Sequence, residues 1–121
     1  MSPFVHRGAV NRLLSSLSGI EYERLSPSLK PITLAFGEVL YEPGDIINHV
    51  YFPNDSIISL LSALSEGSTL EVGMIGNEGM AGLSVFMGVN VSSTRAIVQG
   101  TGSAMRMASR VVRREATRPS S

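Results

Sequence analysis

Two apolar runs joined by Ser65-Glu66-Gly67-Ser68 set the strongest limit on what this chain can fold into. Residues 56–64 (SIISLLSAL) read as a long strand, the turn reverses the chain, and residues 69–75 (TLEVGMI) read as its antiparallel partner. Leu70, Val72 and Met74 alternate with Thr69, Glu71 and Gly73, so the hairpin predicts a sheet with one buried face.

The same texture runs both ways from the hairpin. Upstream, strands are predicted at residues 32–36, 38–41 and 50–52, with Val39 and Tyr41 on one face. Glu42-Pro43-Gly44-Asp45 and Pro53-Asn54-Asp55 punctuate them, and Ile46 and Ile47 follow the first turn. Downstream, residues 94–99 and 103–107 read as strands around Gly100-Thr101-Gly102. The sum is about eight short strands with turns every ~6–10 residues, the pattern of a small antiparallel barrel or jelly roll.

Short helices flank the strands. Residues 10–17 place Val10, Leu13, Leu14 and Leu17 on one helical face. Ser18 can cap a second helix over 20–25, with Glu21 in its first turn and Arg24 in its last, as the helix dipole favours. Pro27 and Pro31 end helical structure. A terminal helix is predicted over 108–116. Residues 1–9 read as an arm and 117–121 as a disordered tail, which leaves 10–116 as one domain.

Composition narrows the function classes. Ten Lys+Arg balance ten Asp+Glu over 121 residues, with none of the basic excess usual in a nucleic-acid binder. The arginines do cluster late: Arg106, Arg110, Arg113, Arg114 and Arg118 stand against Glu115 alone, the pattern of a solvated terminal helix. The chain has no cysteine, which excludes disulfides, thiolate chemistry and iron–sulfur ligation and suits a cytoplasmic location. No apolar run reaches the ~18–20 residues of a membrane span, so no membrane partner is expected. With only His6 and His49, neither beside a ligand partner, no metal site and no metal-dependent jelly-roll enzyme is expected. His49 reads as a surface or edge residue at a strand start.

The chemistry-bearing stretch is residues 72–96. A strand ends in Gly76-Asn77-Glu78-Gly79, a short apolar segment follows over 80–87, and a loop leads to Thr94-Arg95-Ala96. Residues 80–87 are assigned to a helix, because Gly79 and Gly82 are poor mid-strand residues and Asn77 is a fair N-cap. Strand, glycine turn, helix start and a nearby arginine suit an anion pocket. The plain alternative for Arg95 is an ion pair with a glutamate. Met74, Met80 and Met87 read as core filler.

The ordered set GEVLYEPGD (37–45), HVYFP (49–53), SIISLL and EVGMIGNEGMAGL resembles the cyclic-nucleotide-binding domain of Crp/Fnr-type transcription regulators. The resemblance spans roughly residues 10–116. It implies a mainly β fold, a double-stranded β-helix jelly roll with short flanking α-helices. Gly37 and Gly44 then sit at tight corners of the roll, and Tyr51 and Phe52 in its core.

In family members that bind cyclic AMP, a phosphate cassette carries a glycine-glutamate pair, a short helix, and an arginine followed by a small residue. The glutamate holds the ribose and the arginine the cyclic phosphate. By resemblance the cassette here comprises Gly79, Met80, Ala81, Gly82, Leu83, Arg95 and Ala96. Met80 takes the place of the glutamate, with Glu78 as the alternative acid. Losing that acceptor costs about 1–3 kcal/mol, up to about a hundredfold in affinity. Cyclic AMP is therefore disfavoured, and a small anionic effector is the ligand class left.

The resemblance thus implies the sensing domain of a Crp/Fnr-type regulator, with a degenerate cassette, no enzymatic activity, a small-molecule effector and a homodimer. DNA contact would require a helix-turn-helix domain, and none is present in these 121 residues. The alternative is a stand-alone β-roll module that docks on a protein and binds no nucleotide.

Overall fold

The computed structural model describes residues 11–116. The expectations for the arm, for Val10 and His6, and for the tail with Arg118 lie outside those residues.

The strands are β1 (Lys30–Leu34), β2 (Val39–Tyr41), β3 (His49–Pro53), β4 (Ile57–Ala63), β5 (Thr69–Ile75), β6 (Arg95–Gly100) and β7 (Gly102–Ala108). They form two antiparallel sheets, one ordered β1-β7-β3 and the other β2-β6-β4-β5. About eight strands were expected; among the described residues seven form, and Ile46 adds an isolated bridge to Val91. One core joins the sheets: Leu34 and Val50 come from the first, Ile58, Ala96 and Val98 from the second. Tyr51 and Phe52 are buried in it, as expected. Pro31 lies in β1 itself, which is an edge strand and tolerates a residue with no N–H.

The hairpin forms as read. The N–H of Leu64 donates to the carbonyl of Ser68 at 2.8 Å, and β5 has the expected bounds. Its buried face does not form. Leu70, Val72 and Met74 are 53%, 53% and 54% exposed. Among the described residues β5 pairs only with β4, at the sheet edge, and a bulge at Leu60/Leu61 shifts the register opposite it. Alternation identified an apolar face but not whether anything covers it. The same limit applies to β2, where a bulge between Val39 and Tyr41 leaves Val39 exposed and Tyr41 buried.

The first helix is shorter than expected. α1 (Arg12–Ser15) is N-capped by Asn11, whose side chain accepts from the N–H of Leu14. Leu14 is buried, while Leu13 faces out. α2 (Gly19–Leu25) carries the full capping box, Ser18 with Glu21. α3 (Ser109–Ala116) buries Val111 and Val112.

Candidate functional site

Residues 76–96 form the cassette-like region. After β5 the chain turns through Gly76-Asn77-Glu78-Gly79, and the Glu78 carboxylate folds back to accept from the Gly76 N–H at 3.2 Å. Asn11 fixes the exit of this turn: its side-chain amide donates to the carbonyls of Pro53 at 2.7 Å and Gly79 at 2.9 Å. The Arg12 N–H donates to the Asn77 carbonyl. α1 therefore clamps the start of the cassette segment.

The helix expected over 80–87 is not an α-helix. Ala81 makes a two-bond antiparallel bridge to Tyr51, and a 3₁₀ turn follows at Leu83–Met87. Its N-terminal flank is Gly82 rather than Asn77, and no side chain caps it. Gly82 has φ +98°, and a Cβ there would stand 2.8 Å from Val50 Cγ1 and 3.0 Å from the Tyr41 hydroxyl. Only glycine fits this close approach, which turns the chain from the core out to the surface.

The side chains diverge accordingly. Met80 and Ala81 are buried in the core, and Leu83 is 54% exposed. Among the three methionines read as core filler, only Met80 fills the core; Met74 and Met87 are exposed, on the edge strand and at the end of the 3₁₀ turn. Tyr41 closes this part of the core, its hydroxyl donating to the His49 carbonyl. Burial pushes the Tyr41 phenol well above its ordinary range, with the nearby Tyr51 adding to the effect.

Arg95 begins β6, and its Nε donates to Glu42 Oε1 at 2.8 Å. Both side chains are close to half exposed. Ala96 is fully buried between β2 and β4. The loop over 88–94 is laced to the Glu42-Pro43-Gly44-Asp45 turn. The Gly44 N–H donates to the Ser92 carbonyl at 2.8 Å, the Ser92 N–H to the Asp45 carbonyl at 2.9 Å, and the Ile47 N–H to the Asn90 carbonyl at 2.7 Å. That lacing brings Glu42 to Arg95. The structure thus keeps Gly79 to Leu83 together as one segment, with Arg95 held toward the 42–45 turn.

α3 packs against the 3₁₀ turn, and Arg113 Nη1 donates to Asn90 Oδ1 at 3.4 Å. The terminal helix and the cassette segment are therefore in direct contact. Sequence reading found neither this contact nor the Asn11 clamp. A polar residue just before a short apolar helical run was the available signal for Asn11.

Comparison with solved structures gives the architecture its name. An N-terminal domain of a transcriptional regulator from Streptomyces coelicolor A3(2) superposes with TM-score 0.70 at 15% identity, over 89% of this chain and 86% of that one. The fold is that of a cyclic-nucleotide-binding domain. The sensor domain of the transcriptional regulator DNR from Pseudomonas aeruginosa matches with TM-score 0.70 at 15% identity, covering 85% and 69% of the two chains. The regulatory subunit of a cAMP-independent protein kinase A from Trypanosoma brucei matches with TM-score 0.74 at 14% identity over 97% of this chain, which spans 47% of that subunit. The expected jelly roll is therefore correct. No protein-family model and no curated protein matches the sequence.

Among the described residues, no group of three His, Cys, Asp or Glu is placed to hold a metal ion. Among them also, no helix is long and apolar enough to cross a membrane.

Proposed function

We propose that this chain is a regulatory sensing domain on the cyclic-nucleotide-binding fold, with a cassette that no longer serves cyclic AMP. The contact between α3 and the 3₁₀ turn carries the reading. A ligand or partner that moves the turn must also move α3, which is the two-state coupling a sensor needs. The buried Met80 supports the loss of cyclic AMP, because a thioether in the core offers a ribose no useful acceptor. Gly79 to Leu83 with Arg95 and Ala96 would form the effector site, and Glu78 remains the alternative acid. The effector would be a small anion, and the output a homodimer that reaches DNA through a helix-turn-helix domain.

Titration calorimetry with cyclic AMP and cyclic GMP tests this. No saturable binding is expected at micromolar concentrations; micromolar affinity for either overturns the degenerate cassette.

The exposed face of Leu70, Val72 and Met74 favours a second reading, a β-roll module that docks on another protein. A reading frame that continues past Ser121 into a helix-turn-helix excludes that alternative.

A further inference from the structure

A concave site away from the cassette segment shares no residue with it. It is a cleft of about 340 Å³ lined by Lys30, His49, Arg106 and Arg110, with Pro27, Ser28, Ala108 and Val111 completing the wall. Among the described residues, no carboxylate lines it. The volume lies in the range of small-molecule sites.

Two features of this cleft work against stability. Lys30 and Arg106 are register partners on β1 and β7, and like charges directly opposite each other across strands repel. Arg110 lies in the first turn of α3, which holds no acid, where the helix dipole favours an anion. Lys30 and Arg110 are solvent-exposed, so the fold does not force them together for packing. Among the described residues, the ion pairs of Arg24, Arg95 and Arg114 involve none of these cations. An anion in the cleft would relieve both at once.

We propose that the cleft binds a small ligand carrying a diphosphate group. At neutral pH a terminal phosphoryl group carries about −1.5 to −2 and a bridging one about −1, so a diphosphate of about −3 matches three cations. Two guanidinium groups and an ammonium suit phosphoryl oxygens; Arg106 also bonds the Tyr51 hydroxyl, so the bidentate fork falls to Arg110. The apolar wall of Pro27, Ala108 and Val111 offers a surface for the rest of the ligand.

Calorimetry of the whole chain with inorganic pyrophosphate at low ionic strength tests this. One saturable site is expected. Lys30→Ala and Arg110→Ala, both at exposed positions, should each weaken it about tenfold or more. Arg95→Ala should leave it unchanged, which separates this cleft from the cassette. Absence of saturable binding to the wild-type chain overturns the proposal. So does binding that survives Arg110→Ala intact, or that is lost in Arg95→Ala.

Discussion

Arg95 donates from Nε to Oε1 of Glu42 at 2.8 Å, across 53 residues of sequence. The pair joins the start of β6 to the turn between β2 and β3. It occupies the one arginine that the cassette pattern reserves for a phosphate. Both side chains are nearly half exposed, at 46% and 45%, so solvent screens the attraction. Its contribution to stability should therefore be small, and its effect is on where the guanidinium points.

A double-mutant cycle on Arg95→Ala and Glu42→Ala, read by urea unfolding, should give a coupling of about 1 kcal/mol or less. The coupling should fall toward zero in about 1 M salt. A coupling that stays large and salt-independent would mean that the pair is far less solvated than the structure shows.

Gly82 should be intolerant of any side chain. Its φ of +98° already disfavours an L-residue, and Val50 Cγ1 would stand 2.8 Å from the new Cβ. Gly82→Ala should cost about 2–4 kcal/mol. Gly88→Ala, also at positive φ but with open space around it, should cost less. Equal midpoints of thermal unfolding for the two variants would remove the close-contact argument.

Asn11→Ala should be as damaging as a core truncation. It deletes the cap on Leu14 and leaves the carbonyls of Pro53 and Gly79 without their amide donor. A loss of about 2–4 kcal/mol in urea unfolding is expected. Hydrogen exchange should quicken at Gly79 and Ala81 before it does in β4. Unchanged exchange around Gly79 would show that α1 does not clamp the cassette segment.

How much of this was legible in the sequence differs residue by residue. The hairpin and its bounds were readable because Ser65-Glu66-Gly67-Ser68 and the flanking β-formers act locally. The exposure of Leu70, Val72 and Met74 was not, because burial depends on which strands lie beside β5. The ion pair of Arg95 was anticipated in kind, but Glu42 as its partner emerges only once the 88–94 loop is laced to the turn. Arg106 and Arg110 looked like one solvated basic stretch. The strand over 103–107 and the helix over 108–116 already put one on β7 and the other on α3, and what no local pattern showed is that the fold brings Lys30 and His49 to meet them.

His49 should report on that charge. Burial lowers its pKa from the usual 6.5, and Arg106 and then Lys30 lower it further. A histidine held neutral in the folded state gives no pH-dependent penalty above about 6.5. As pH falls below that value the unfolded state gains the proton first, so stability declines until pH passes the folded pKa. His49→Gln should flatten this part of the pH–stability curve. Lys30→Ala should raise the His49 midpoint in an NMR titration, and an unmoved midpoint would show that Lys30 does not act on the ring.

Met80→Glu asks whether one acid restores the cassette. The position is 6% exposed and packs in the core, so the new carboxyl would be held neutral by burial. Its pKa would rise above the unfolded value of about 4.3. The penalty is then smallest below that pH and grows as pH rises toward the folded pKa, because the unfolded chain ionises first. Relative to wild type, the variant should lose stability steadily between about pH 4 and 7. Cyclic AMP affinity should stay undetectable by calorimetry, since the acid would face the core and Arg95 would still be bonded to Glu42. If Met80→Glu alone binds cyclic AMP at micromolar concentrations, then the segment from Gly79 to Leu83 can re-form a nucleotide site without freeing Arg95. The cassette would then be one substitution from function rather than rebuilt around a buried methionine.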